Sequence, residues 1–392
     1  MTEPSSTARN LVLCLDGTNN EPEHDDTNVV RIFDLAQKNA KQLVYYDPGV
    51  GTMGARGAVS RLGKELTRVA GVVAGHGIRD NIEEAYTWLS RNYQKDDRIY
   101  VFGFSRGAYT ARALTGMLNT VGLLRPGTEN LVPYAVKLYA RTGPPPADTK
   151  ADPDAEVAHG KYWRLRREFR RKFGNPEFPT SFDTSRRQVH FLGVWDTVKS
   201  VGWLNLKARI EMARWPYTRQ IENVQIARHA MAIDERRRLY GIYRFDPRTV
   251  AKSEGRHQEM WFAGVHSDVG GQFPDDHKLS DIALSWMVKE AVKADFAVNK
   301  TKYWRMFDEV RFADELPDEY ALGKIHEPET VWLLAGGWGR RDILPDDEIH
   351  RSVYYRVEHT KDSKAPYEPK LPRYSSAEAQ HDVHHGDPRQ TY

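Results

Sequence analysis

Ser105 stands between two glycines in Gly103-Phe104-Ser105-Arg106-Gly107, directly after the apolar run Arg98-Ile99-Tyr100-Val101-Phe102. A small-residue segment follows, Ala108-Tyr109-Thr110-Ala111-Arg112-Ala113-Leu114. A serine hydroxyl is a weak nucleophile until a base takes its proton, and it must be held exposed to be reached. A sharp strand-to-helix turn holds it so, with glycines two residues to either side because side chains there would collide with the turn. The pentapeptide alone occurs by chance. Placed between a strand and a helix it points to a nucleophile perched at a strand's end, against the plain alternative of a turn with a capping serine.

A nucleophile needs a base, and the base needs an orienting acid. Val189-His190-Phe191-Leu192-Gly193-Val194-Trp195 runs into Asp196-Thr197-Val198, and Glu259-Met260-Trp261-Phe262-Ala263-Gly264-Val265 runs into His266-Ser267-Asp268-Val269-Gly270-Gly271. Residues at the carboxyl ends of parallel strands converge on one edge of a sheet. The expectation is that Ser105 attacks an ester carbonyl, His266 takes and returns the proton, and Asp196 fixes the imidazole tautomer. The order Ser, Asp, His is the order of the α/β-hydrolases. His350 is the rival base, and Asp268 and Asp234 are rival acids. The backbone N–H of Arg106 is the expected first oxyanion donor. The second is sought in Asp16-Gly17-Thr18, where glycine lets the backbone approach a ligand closely. The Asp16 carboxylate is out of place beside developing negative charge, so it either braces the loop or binds a cation.

The elements that must carry these residues are legible as apolar runs and helical spacings. Residues 11–15 and 42–46 read as strands, 29–35 as a short helix and 279–292 as a longer one. Ile82, Ala85, Tyr86 and Leu89 fall at helical spacing within 80–93. The glycine-rich piece 54–77 suits a loop with a short helix. Gly143-Pro144-Pro145-Pro146 breaks the pattern, and 147–160 reads as a polar surface excursion. Strands alternating with helices imply an α/β fold, α/β-hydrolase-like: a mostly parallel sheet with helices on both faces and helical or loop insertions. The expected layout is a disordered N-terminus over 1–10, one domain over 11–357 with an insertion at about 120–187, and an extended or disordered tail over 358–392.

Composition narrows the partners. Of 392 residues, 40% are hydrophobic and 28% charged, ordinary for a globular protein. A net charge of +3 implies no affinity for nucleic acid. The single cysteine, Cys14, lies inside an apolar run, so one chain forms neither a disulfide nor a cysteine metal site. Met1 to Asn10 is polar and lacks a signal-peptide core, and no apolar run reaches the length of a membrane span. A cytoplasmic chain is expected, with signal-independent export left open. Residues 161–172 hold Lys161, Arg164, Arg166, Arg167, Arg170, Arg171 and Lys172, with Tyr162, Leu165, Phe169 and Phe173 on one helical face. Such a helix either meets an anionic membrane surface or simply sets a core face against a solvated basic one. Trp203 and Trp215 line an acyl or glycan pocket or belong to the core.

Six stretches occur in one order: Leu15-Asp16-Gly17-Thr18-Asn19-Asn20, Gly49-Val50-Gly51-Thr52, residues 103–110, Val194-Trp195-Asp196-Thr197-Val198, residues 228–236 and residues 264–271. Together they resemble the large uncharacterised α/β-hydrolase family named for the catalytic domain of type VI secretion phospholipase effectors, over roughly 11–357. The resemblance implies a serine lipase or esterase that needs no cofactor, with phospholipase A activity in the effector branch. It carries over Ser105 as nucleophile with Asp196 and His266 as partners, and implies a lipid or small ester as substrate. The chain departs from the effector branch in being short, without an evident large membrane-docking domain, which bears on phospholipid as substrate and on a toxin role. Two other classes stand beside this one: a metal-assisted phosphoesterase on Asp16, His266 and Asp268, and a non-catalytic scaffold that keeps the fold.

Overall fold

The computed structural model describes residues 8–17, 26–49, 74–140, 153–180, 186–198, 215–327 and 337–372. Strand β1 (Asn10–Leu15) leads to helix α1 (Asn28–Leu35) and strand β2 (Gln42–Asp47). Helix α2 (Ala74–Asn92) precedes β3 (Arg98–Phe104), which turns straight into α3 (Arg106–Val121). Helices α4 (Val132–Tyr139) and α5 (Pro153–Phe173) are followed by β4 (Val189–Trp195) and β5 (Val224–Ala232). Then come α6 (Pro247–Ala251), β6 (His257–Phe262), α7 (His266–Gly270), α8 (Lys278–Lys293) and α9 (Lys300–Met306). The short β7 (Glu348–Ile349) and α10 (Arg351–Thr360) close the described chain.

All seven strands form one sheet in the order β2-β1-β3-β4-β5-β6-β7, and every pairing is parallel. Alternate residues of each strand face opposite sides, and both sides are covered. Leu11, Leu13 and Leu15 share a buried cluster with residues of α2, α3 and α4, whereas Val12 and Cys14 share one with residues of α1 and α8. A strand buried on both faces reads as an unbroken apolar run, which is why β1 was legible. From β1 the chain crosses to β2 on one side, and from β2 it passes back over β1 to β3 on the other. That reversal opens a crevice beyond the carboxyl ends of β1 and β3, where α/β sheets bind ligands. The α/β-hydrolase-like class expected from the residues is the architecture found.

Several boundaries differ from expectation for physical reasons. Strand β3 runs on through Gly103 and Phe104, which pair with Val194 and Trp195 of β4. Strand β6 stops at Phe262 rather than Val265. Strands β5 and β7 were not expected. Helix α5 begins at Pro153, so residues 153–160 of the expected polar excursion are helical. Of its arginines, Arg166 turns inward: its guanidinium lies 3.1 Å over the Tyr162 ring and donates to the Leu138 carbonyl at 2.5 Å. Helix α10 extends to Thr360, and within the expected tail the Tyr367 hydroxyl donates to Asp234 Oδ2 at 2.8 Å. Trp215 packs on Tyr139 at 5.3 Å in the core; Thr18, Trp203 and most of 54–77 lie outside the described residues. No described helix is long and apolar enough to cross a membrane.

Candidate active site

Ser105 occupies the one-residue junction between β3 and α3, with φ 57° and ψ −119°. Positive φ is costly for a residue with a Cβ, and the cost is held by what surrounds it. Its amide donates to the Trp195 carbonyl at 3.1 Å, tying the turn to β4. A Cβ at Gly103 would lie 2.6 Å from the Gly107 carbonyl oxygen, so the flanking glycines are a steric requirement of the turn.

The serine hydroxyl lies 2.8 Å from His266 Nε2, and His266 Nδ1 lies 2.5 Å from Asp196 Oδ2. The three residues come from the ends of β3, β4 and β6, as the sheet order brings them together. His266 opens α7; its ring packs against Phe104 at 4.6 Å and takes the Tyr240 ring edge-on at 4.9 Å. Its backbone N–H donates to Glu235 Oε2 at 3.3 Å, and Arg237 neutralises that carboxylate at 2.7 Å. Asp196, itself at φ 36°, is fully buried and accepts the Ala232 amide at Oδ1, 3.0 Å.

Electrostatics set the protonation states. Burial by itself would raise the Asp196 carboxyl, but the Arg341 charge and the His266 bond outweigh it and hold the group well below the usual carboxylate range. Burial depresses the His266 imidazole below its ordinary value, against the upward pull of Asp196. The resting arrangement is therefore a neutral imidazole between a hydroxyl and a carboxylate.

On the other side of the crevice, Asp16 braces its own loop. Oδ1 accepts the Gly17 amide at 2.7 Å, and Oδ2 accepts the hydroxyls of Thr27 at 2.6 Å and Tyr46 at 3.1 Å. The Gly17 amide, expected as an oxyanion donor, thus has Asp16 as its acceptor here. Arg106 is the first residue of α3, at the end where helix amides face out along the axis.

The rivals have other partners. Asp268 accepts the Val265 amide at 2.9 Å and faces His326 Nδ1 at 2.6 Å. Asp234 accepts the Gly264 amide at 2.7 Å, and His350 caps α10 with its ring stacked on Phe262 at 4.8 Å. Asp16, His266 and Asp268 are thus turned to separate partners. No group of three or more His, Cys, Asp or Glu that could hold a metal ion occurs among the described residues. The cavity of about 390 Å³ between α8 and the start of α10 contains His350 and Glu315, and neither Ser105 nor His266 lines it.

The family model described as the T6SS phospholipase effector Tle1-like catalytic domain matches residues 9–290. The chain belongs to that family. The uncharacterized protein YEL023C of Saccharomyces cerevisiae is 32% identical over 251 residues, covering 62% of this chain and 33% of its own length. An uncharacterized protein from Pseudomonas aeruginosa of known structure aligns over 74% of this chain and 47% of its own, at 19% identity and a TM-score of 0.38. The solved Tle1 effector bound to the VgrG spike of the type 6 secretion system aligns over 68% and 52%, at 18% identity and a TM-score of 0.31. The chain spans about a third of the yeast relative and about half of each solved chain.

This Tle1-like domain gathers residues that motif reading passed over. Glu235 fell inside the quoted stretch 228–236 and Arg237 directly after it, two opposite charges just past a buried strand, and that was a usable signal. Tyr240 carried no pattern. Arg341 lies beyond the matched region, and its side chain is 5% exposed beside a fully buried Asp196.

Proposed function

We propose that this chain is a serine hydrolase of carboxylic esters, acting on the acyl esters of lipids. The observation that carries the proposal is the unbroken line from Ser105 Oγ through the His266 ring to Asp196, with spacings of 2.8 and 2.5 Å. Membership in a family described as phospholipase effectors supports the lipid class.

In the proposed reaction His266 Nε2 accepts the Ser105 proton as Oγ attacks the ester carbonyl. The Nδ1–H stays bonded to Asp196, which holds the tautomer and stabilises the imidazolium. The Arg106 amide receives the oxyanion, worth about 3 kcal/mol of barrier for one well-placed donor. His266 then protonates the leaving alcohol, and an acyl group remains on Ser105. A water activated by the same imidazole releases the fatty acid and restores the hydroxyl. The exposed basic face of α5, with Lys161, Arg164, Arg167, Arg171 and Lys172, suits an anionic lipid surface. Charge reversal at these five positions should weaken co-sedimentation with anionic vesicles; unchanged binding removes α5 from the account.

Lipid extracts incubated with wild type or Ser105→Ala and profiled for products test the function. Free fatty acid and a deacylated lipid should form with wild type alone. Equal products from both proteins, or none from either, would contradict it.

A further inference from the structure

The Asp196 carboxylate serves two side chains, not one: the neutral His266 ring and the Arg341 guanidinium. Arg341 Nη1 meets Oδ1 at 2.5 Å and Nη2 meets Oδ2 at 2.9 Å, a two-pronged contact on the oxygens that also serve the Ala232 amide and His266. The same two nitrogens reach the carbonyls of Ala232 at 2.8 Å and Tyr240 at 2.7 Å. The guanidinium is therefore pinned at four points, and the acid cannot rotate without breaking two of them. A planar fork is the geometry that fixes a carboxylate plane; a lysine ammonium there would supply the charge without the plane.

We propose that Arg341 is a positioning residue of the Ser105–His266–Asp196 site, supplied from outside the family-matched region, that orients Asp196 and attenuates its pull on the His266 proton. The proposal rests on the hydrolase reading for its catalytic consequence, but its electrostatic part stands by itself. His266 is faced by Ser105 and Asp196 across its nitrogens, by Tyr240 and Phe104 on its ring, and by Glu235 paired with Arg237 at its backbone. Within that set Asp196 and Glu235 favour the imidazolium and Arg237 opposes it; Arg341, on the Asp196 carboxylate itself, offsets the negative charge that favours it most. With Arg341 absent, the imidazolium is better stabilised and protonates at higher pH. Less of the free base then remains at a given acidic pH. A neutral side chain at 341 therefore moves the acid limb of reactivity upward. Lysine leaves the limb in place but lets the carboxylate turn.

The test is an NMR titration of the His266 ring in the full chain, for wild type, Arg341→Gln and Arg341→Lys, alongside the rate of Ser105 labelling by an alkyl fluorophosphonate against pH. In Arg341→Gln the ring midpoint and the labelling limb should both rise by ~1 pH unit, the scale expected when a neighbouring charge is lost. In Arg341→Lys the limb should stay while the plateau labelling rate falls roughly 10-fold or more, the cost of a misplaced partner. An unmoved His266 midpoint in folded Arg341→Gln would overturn the proposal, as would a wild-type plateau in Arg341→Lys. Should glutamine prevent folding, the lysine variant decides alone. A wild type that titrates as described yet never labels would sink the hydrolase reading and leave the electrostatic role of Arg341 intact.

Discussion

The α-carbon of Gly107 sits so close to Leu15 that a Cβ there would lie 2.2 Å from the Leu15 carbonyl oxygen and 2.5 Å from that of Asp16. The nucleophile's helix is thereby pressed against the end of β1, an approach that a side chain at 107 would block. Both obstructing atoms are backbone, which cannot swing away. Gly107→Ala should therefore push α3 off β1, lose at least ~2 kcal/mol of stability and lower Ser105 labelling. Urea unfolding and labelling kinetics on the same preparation check it; a variant equal to wild type in both would show the contact to be soft.

Asp196→Asn should cost more here than the loss of an imidazole partner alone. Removing the acid of such a triad lowers turnover by ~10⁴-fold. It also leaves the Arg341 guanidinium buried against a neutral amide, and breaking a buried pair from one side typically costs about 3–5 kcal/mol. Stopped labelling together with a large drop in the urea midpoint is the expected result. A variant as stable as wild type would mean that Arg341 finds a new partner.

The pH profile of kcat/KM follows from the depressed His266. Only the neutral ring accepts the serine proton, so activity is lost as pH falls through the folded-state value. Burial holds that value below the ordinary histidine pKa of 6.5, so the acid limb should lie below pH 6.5. Steady-state rates on a soluble ester across acidic pH measure it. A limb above 6.5 would mean that the Asp196 charge prevails over burial.

Stability should also fall with acid, through a histidine remote from the chemistry. His257 is the buried first residue of β6, with Nε2 on the Val224 carbonyl at 3.0 Å, and burial pushes it down to about 4 from 6.5. Between those values the unfolded chain binds the proton that the folded chain refuses. Its contribution is complete above pH 6.5 and lost as pH falls toward 4, worth about 3 kcal/mol. Urea midpoints at several pH values should show the decline, and His257→Gln, which keeps an N–H for Val224, should flatten it. An equally steep decline in that variant would assign the effect to other groups.

Legibility in the sequence tracked how local each determinant is. Strands β1, β3 and β4 announced themselves because both faces are apolar, and the residues at their ends followed from strand polarity. Strand β5 did not, because Val224-Gln225-Ile226-Ala227-Arg228-His229-Ala230-Met231-Ala232 carries charge in its middle. Their charged partners are distant in sequence: His229 Nδ1 faces Glu259 at 2.9 Å and Arg228 meets Glu290 at 2.7 Å. Arg341 was invisible for the same reason, since it meets Asp196 across 145 residues of sequence. The Asp16 question was open in the sequence, where a brace and a cation ligand look alike. The Gly17, Thr27 and Tyr46 donors fit the brace, and they give the Gly17 amide an acceptor within its own loop.

The most direct measurement is intact-mass and peptide analysis of the full chain after reaction with an alkyl fluorophosphonate. A single adduct on the peptide carrying Ser105, absent in Ser105→Ala and slowed by orders of magnitude in His266→Ala, is the predicted result. No adduct on the folded wild type, or an adduct that persists in Ser105→Ala, would contradict the central claim that the His266 ring activates this hydroxyl.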